Sequence, residues 1–399
     1  MDVLDGALPV ELLVLACAAV AAPLLVDRLE RWVRLPSVVV EIVLGILIGP
    51  QLLGLVQVHV LFEVVSQLGL AMLFFLAGYE IDFRAVRGRP ITLASVGWVV
   101  SFVLAAGGLA LLGVDAVLIL AIGLCSTALG TILPIARDSG LLAGPVGPYL
   151  MAVGAVGEFA PIALLALLFS EGHHSGRTTL VILLVGLAVA AAAFGSLRRS
   201  ARVSRLLSAT LGTSAQLAVR LSVLVLLGSV LLAAEVGVDI ALGAFAAGVC
   251  MHVLLSALDE REEALVQSKL DGIGFGAVVP VFFVYTGVTF DLDQLLGSVT
   301  ALALIPVFLV AFALVRGVTT FVLFARVLER PQRGVLAAFA ATELPIVVVA
   351  ASTAAERGLV EESIAAAMIG AAMLSVLLFP LLGLRWARMD TRSVTAEAI

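Results

Sequence analysis

Pro148-Tyr-Leu-Met-Ala-Val-Gly-Ala-Val-Gly-Glu158-Phe-Ala-Pro-Ile-Ala-Leu-Leu-Ala-Leu-Leu-Phe169 is an apolar run of membrane length with one charge, Glu158. At about 1.5 Å of rise per residue, that carboxylate stands roughly 15 Å into the run, near the middle of a ~30 Å hydrocarbon layer. An ionisable group there costs at least ~2.5–3.5 kcal/mol unless it faces a partner or a water-filled cavity. The rest of the chain has to supply one or the other.

Composition points to the same environment. Of 399 residues, 62% are hydrophobic and 13% charged, against roughly 45–50% and 25% in soluble domains. The chain reads as an all-α polytopic membrane protein. Its net charge of −6 says little, because the placement of charges matters more than their sum, and no nucleic-acid partner is expected. No nucleophile–base set, metal-ligand cluster or phosphate loop is present, so neither enzyme chemistry nor a cofactor is expected. Cys17, Cys125 and Cys250 all lie inside apolar runs, where cysteine behaves as a small hydrophobe. Acidic residues precede the first run, so a cleavable signal peptide is not expected.

Apolar runs separated by short charged turns give thirteen candidate spans: 9–26, 36–54, 60–80, 91–112, 116–136, 148–169, 178–196, 217–234, 238–255, 272–289, 300–324, 334–354 and 364–385. Nineteen of the 23 basic residues fall in one alternate set of loops. Only Arg177 and Arg357 fall in the other set, and Arg220 and Arg316 lie within spans. By the positive-inside rule the N-terminus is outside and the C-terminus cytoplasmic, in a plasma (inner) membrane.

An internal repeat accompanies this topology. Phe74-Phe75-Leu-Ala-Gly78-Tyr-Glu-Ile-Asp82 in span three parallels Phe282-Phe283-Val-Tyr-Thr-Gly287-Val-Thr-Phe-Asp291 in span ten. Gly45-Ile-Leu-Ile-Gly49 and Gly243-Ala-Phe-Ala-Ala-Gly248 add a weaker match. The alternatives are chance recurrence of Phe and Gly, or two inverted six-helix repeats, 9–169 and 217–385, joined by a connecting helix and linker at 178–216 within one domain. Spans five and twelve would correspond, and both look interrupted. One carries Ser126-Thr127-Ala-Leu-Gly-Thr131-Ile-Leu-Pro134 and the other Thr342-Glu343-Leu-Pro345. Thr342 as N-cap before Pro345 would start a new half-helix. Interrupted segments at matching positions point to a transporter's binding site; an ordinary proline kink is the alternative reading.

Leu35-Pro-Ser-Val-Val-Val-Glu41-Ile-Val-Leu-Gly45-Ile-Leu-Ile-Gly49-Pro50, the Phe74–Asp82 run, Ser126-Thr127-Ala128, Leu242–Gly248 and Val279–Leu292 together resemble the Kef-type monovalent cation:proton antiporters. The resemblance covers about residues 10–385. It implies the sodium/proton-antiporter fold, with crossed discontinuous helices, a homodimer and elevator-like alternating access. Some members add a nucleotide-binding regulatory domain, which is not expected here. The family commonly carries a pair of polar or acidic residues in span six, the second being the ion and proton carrier. The best ungapped placement sets Glu158-Phe159 on that pair, so a phenylalanine takes the usual carrier position.

The residue readings follow. Glu158 is a proton/cation carrier or a structural carboxylate locked to a cation. Arg316 matches a basic position that in the family pairs with the span-six carboxylate. Ser126 and Thr127 would supply oxygen ligands, and Glu343 is a second carrier or a helix-end group. Glu41, Thr131 and Thr342 would line the cavity rim. The expected function is exchange of a monovalent cation, Na⁺ or K⁺, for H⁺ across the lipid bilayer. A proton-coupled transporter of another solute, which Phe159 favours by removing an oxygen, and a non-transporting scaffold or sensor are the alternatives.

Overall fold

In hydrocarbon no water satisfies the backbone, so a spanning segment must close its own hydrogen bonds, which an α-helix does. The computed structural model describes residues 8–29, 37–80, 88–169, 201–236, 240–290 and 292–397, and all regular structure among them is helical. Span seven (178–196), Asp82, Asp291, His173 and His174 lie outside the described residues. In chain order the helices are α1 Leu8–Leu29, α2 Ser37–Ile48, α3 Val60–Glu80, α4 Arg89–Leu111, α5 Val117–Leu124, α6 Leu129–Asp138, α7 Gly147–Phe169, α8 Ala201–Leu211, α9 Leu217–Val236 and α10 Ile240–Leu255. They continue with α11 Glu260–Ile273, α12 Val279–Val288, α13 Leu292–Gly297, α14 Val299–Phe312, α15 Thr319–Leu323, α16 Arg330–Ala340, α17 Pro345–Glu356 and α18 Glu362–Glu397.

Among the described residues, nine helical stretches are long and apolar enough to cross a membrane, and Ser37–Ile48, Val117–Leu133 and Ile240–Leu255 are shorter apolar ones. Two departures from the expected spans have local causes. α11 starts at Glu260 rather than at 272, because its polar first turns are invisible to hydropathy. The Asp259 side chain accepts from the Glu262 backbone N–H, and Glu260, Glu262 and Glu263 fill the first turn, where the helix dipole favours anions. α8 forms within what reads as a linker. Two π-helical turns, Gly274–Val278 and Ala313–Val318, join α11 to α12 and α14 to α15.

The chain divides into two compact units, one of Met1–Ala19, Val56–Ile81 and Ile162–Thr286, the other of Val20–Leu55, Asp82–Pro161 and Gly287–Ile399. The first is organised on α3 against α10. A side chain on Gly78 would collide with the Phe245 carbonyl, and one on Gly248 with the Phe75 carbonyl. Only glycines allow backbones this close, which is how membrane helices gain contact without a hydrophobic driving force. In the second unit Gly287 lies in the same manner against Ile42 and Gly45 of α2. That unit also holds both interrupted helices.

Candidate functional site

The site is built from two breaks that meet. α5 ends at Leu124 and α6 begins at Leu129; α16 ends at Ala340 and α17 begins at Pro345. A bare break in hydrocarbon leaves backbone groups unpaired, and here each break serves the other. The Ala128 N–H donates to the Thr342 carbonyl at 2.9 Å, and the Thr127 N–H donates to Gly157 on α7 at 3.0 Å. The Thr127 hydroxyl donates to the Ala340 carbonyl at 2.8 Å, and Ser126 Oγ to the Gly123 carbonyl at 3.0 Å. Hydroxyls thus satisfy freed carbonyls across the crossing as well as along their own helix.

Thr342 is not the N-cap of α17. Leu344 holds that place without a side-chain bond, and Pro345 is the first helical residue. The Thr342 hydroxyl turns back to the Ala338 carbonyl at 3.1 Å, leaving its own carbonyl for Ala128. Pro134 does not mark the first break either. α6 runs through it, and the interruption lies at residues 125–128.

One acidic and one basic side chain enter the crossing. Glu343 is fully buried in the α16–α17 break, and its Oε2 accepts from Ser126 Oγ at 3.3 Å. Its place just before α17 lets the helix N-terminus stabilise the anion. Ser375 of α18 holds the backbone there, since its Oγ accepts from the Glu343 N–H at 2.9 Å and lies 2.9 Å from the Glu343 carbonyl. Arg316, also buried, comes from the π-helical turn. Its Nη2 and Nε donate to Thr127 Oγ1 at 2.7 and 3.3 Å, and Nη2 reaches the Val153 carbonyl at 3.5 Å. The wide turn disturbs the regular bonding of its helix, and Ser101 of α4 donates to the Val315 carbonyl at 2.7 Å. With one bond given and two received, every hydrogen-bonding valence of the Thr127 hydroxyl is in use.

α7 lines the crossing at Val153 and Gly157. A methyl group on Gly157 would stand 2.5 Å from Thr127 Oγ1, 2.6 Å from Thr127 Cβ and 2.8 Å from Arg316 Nη2. Glu158 is the next residue and is 1% exposed. Thus Ser126, Thr127, Arg316, Thr342 and Glu343 come together, with α7 alongside. Glu41 on α2 and Thr131 on α6 are buried in the same unit, and the Thr131 N–H donates to the Ala128 carbonyl of the break at 3.1 Å. Reading the sequence missed Ser375, Ser101 and Gly157. Gly157 adjoins the span-six carboxylate and could have been flagged; a serine on a late apolar helix gives no signal.

A sequence model of the transmembrane domain of sodium/hydrogen exchangers matches residues 15–384. The chain is 30% identical over 320 residues to YjbQ of Bacillus subtilis, covering 75% of this chain and 50% of YjbQ. It is 27% identical over 267 residues to the Na(+)/H(+)-K(+) antiporter GerN of Bacillus cereus, covering 64% of this chain and 66% of GerN. It thus spans between half and two thirds of the length of these relatives. The sodium proton antiporter MjNhaP1 of Methanocaldococcus jannaschii superposes with a TM-score of 0.68 over 96% of this chain and 98% of that one, at 16% identity. Identity that low speaks for the fold alone. The Kef-type resemblance is narrower than the family that the match supports. An all-helical, multi-pass membrane chain with two broken helices crossing at a buried Glu–Arg constellation, it belongs to the sodium/hydrogen exchanger family.

Proposed function

We propose that the chain is a secondary active transporter exchanging a monovalent cation, Na⁺ or K⁺, for H⁺ by alternating access. The observation that carries this reading is the crossing itself: a buried carboxylate, Glu343, bonded to Ser126 where two interrupted helices meet, beside the helix that bears Glu158. The ends of α5 and α16 bring carbonyls to the crossing, Gly123 accepting from Ser126 and Ala340 from Thr127, and half-helix C-terminal ends suit a dehydrated cation. A carboxylate cannot hold a proton and a cation at once, so binding one releases the other. The family and the names of its relatives favour this over carriage of another solute or a scaffold role.

Glu158 is the proposed carrier and Glu343 the second acid, with Arg316 as the charge partner of the pair. Arg316 keeps Thr127 Oγ1 occupied, so a transported cation takes that oxygen only by displacing the guanidinium. Glu41, Thr131 and Thr342 belong to the wall of the access path. The chain works as a homodimer in the plasma membrane with its C-terminus in the cytoplasm, as the nineteen-to-two placement of basic residues supports. The matched breaks and the paired glycine crossings, Gly78 with Gly248 and Gly287 with Gly45, support two inverted repeats. The test is proton movement in everted vesicles on adding Na⁺, K⁺ or Li⁺. A cation-specific collapse of the pH gradient supports antiport; no response to any of the three sinks it.

A further inference from the structure

We infer that the cytoplasmic end of the second unit carries a binding site for an anionic phospholipid, formed where the Val299–Arg326 stretch ends and α16 begins. The inference rests on the orientation proposed above, which sets residues 326–333 on the cytoplasmic side. The end of that stretch passes from apolar to basic at steps of four residues: Val318 and Val322 are exposed, and so is Arg326. In a bilayer such a stripe leads from the acyl chains to the level of the headgroups.

Beside the stripe stands a cluster of rings and guanidinium. Phe321 meets Trp386 of α18 edge-on, with ring centroids 6.4 Å apart. The Arg333 guanidinium lies 4.7 Å over the Phe321 ring. Gly334 makes room for the indole, since a side chain there would collide with Trp386. Arg333 Nη1 reaches the Phe321 carbonyl only at 3.5 Å, and its Nε is buried with no hydrogen-bond partner among the described residues. The cation is placed by its ring, and no ion pair with a carboxylate holds it among the described residues.

Charge along residues 326–333 is one-sided. Arg326, Arg330 and Arg333 share the segment with one acid, Glu329. Glu329 is engaged at the start of α16, where its side chain accepts from the Gln332 backbone and the Gln332 side chain accepts from the Glu329 N–H at 3.2 Å. Arg330 is exposed, as is Arg385 next to Trp386. Guanidinium forks match phosphate oxygens in pairs, and an anionic inner leaflet concentrates such phosphates. The exposed Val318 and Val322 beside them offer a bed for an acyl chain, which a free anion would leave empty. The occupant is therefore an acidic phospholipid, its phosphate on Arg330 and Arg333 and one chain along the valines. α16 runs from this point to the break at Glu343, so the lipid anchors the helix that carries the proposed ion site.

The test is lipid retention by the purified protein in detergent, read by native mass spectrometry with phosphatidylglycerol or phosphatidylcholine of the same acyl chains. Wild type should retain phosphatidylglycerol about tenfold better. Arg326→Gln/Arg330→Gln/Arg333→Gln should lose that preference, and Arg202→Gln/Arg205→Gln in α8 should keep it. If the triple variant does not fold, Arg330→Gln alone, at an exposed position, should still weaken retention about threefold. The proposal is overturned if the arginine variants keep the full preference, or if excess inorganic phosphate abolishes it, which would mark a free-anion site. Retention is read in micelles without transport or topology, so its failure is separate from a failure of the antiport reading.

Discussion

At the scale of single residues, the crossing is held by groups with no slack. Thr127 receives from Arg316, gives to Ala340 and takes its backbone partner from Gly157. A methyl group at Gly157 would press on Thr127 and Arg316 together. Gly157→Ala should therefore cost about 1–3 kcal/mol through overpacking, seen as a lower unfolding midpoint in detergent; an unchanged midpoint contradicts the packing described. Ser375→Ala removes the acceptor of the buried Glu343 N–H and should cost about 1–3 kcal/mol. Ser375→Thr, which keeps the hydroxyl, should recover most of the loss. Arg316→Ala should harm folded yield more than Glu158→Gln, because it strips the crossing of its only described cation while Glu343 stays buried. If Arg316 and Glu158 act as a pair, the double variant will be less impaired than Arg316→Ala alone, whereas strictly additive losses of stability speak against pairing.

At the scale of elements, glycine decides which helices touch. The α3–α10 crossing puts Gly78 and Gly248 against the Phe245 and Phe75 carbonyls, and backbone cannot yield as a side chain can. Gly248→Leu should cost about 3 kcal/mol or more and shift the protein to aggregates on size exclusion. Gly107→Leu on α4, with nothing within 4 Å, should run as wild type. Most elements were legible in the sequence because their signal is length and apolarity, and helices such as α1, α3, α4, α7 and α9 lie within a few residues of the expected spans. What hydropathy could not convey was polar helix, as at Glu260–Lys269, and π-helical turns, which leave no residue signature. The breaks were legible as Ser126-Thr127 and Thr342-Glu343, but their geometry was not. Whether the Thr342 hydroxyl caps α17 or bonds back to Ala338 depends on what Ala128 demands of its carbonyl, a tertiary fact. The same limit hid Ser375, whose meaning comes from the break it faces.

At the scale of the whole molecule, topology and transport are the two claims. In a Cys17→Ala background, a cysteine replacing Asp115 should label from outside intact cells and one replacing Arg326 should not; the reverse pattern removes the proposed orientation and the lipid site's leaflet with it. The proposed transport rests on a carboxylate that trades a proton for a cation. With Glu158 as sole carrier, one proton leaves for each monovalent cation bound, so exchange is one for one and insensitive to membrane potential. The most direct test is proton flux in proteoliposomes driven by an imposed Na⁺ or K⁺ gradient, comparing wild type with Glu158→Gln and Glu343→Gln at matched folded yield. Wild type should exchange at a rate unmoved by voltage, and Glu158→Gln should be silent while remaining folded. Exchange by Glu158→Gln at the wild-type rate would contradict the account, and if Glu343→Gln were the silent variant the carrier would be Glu343.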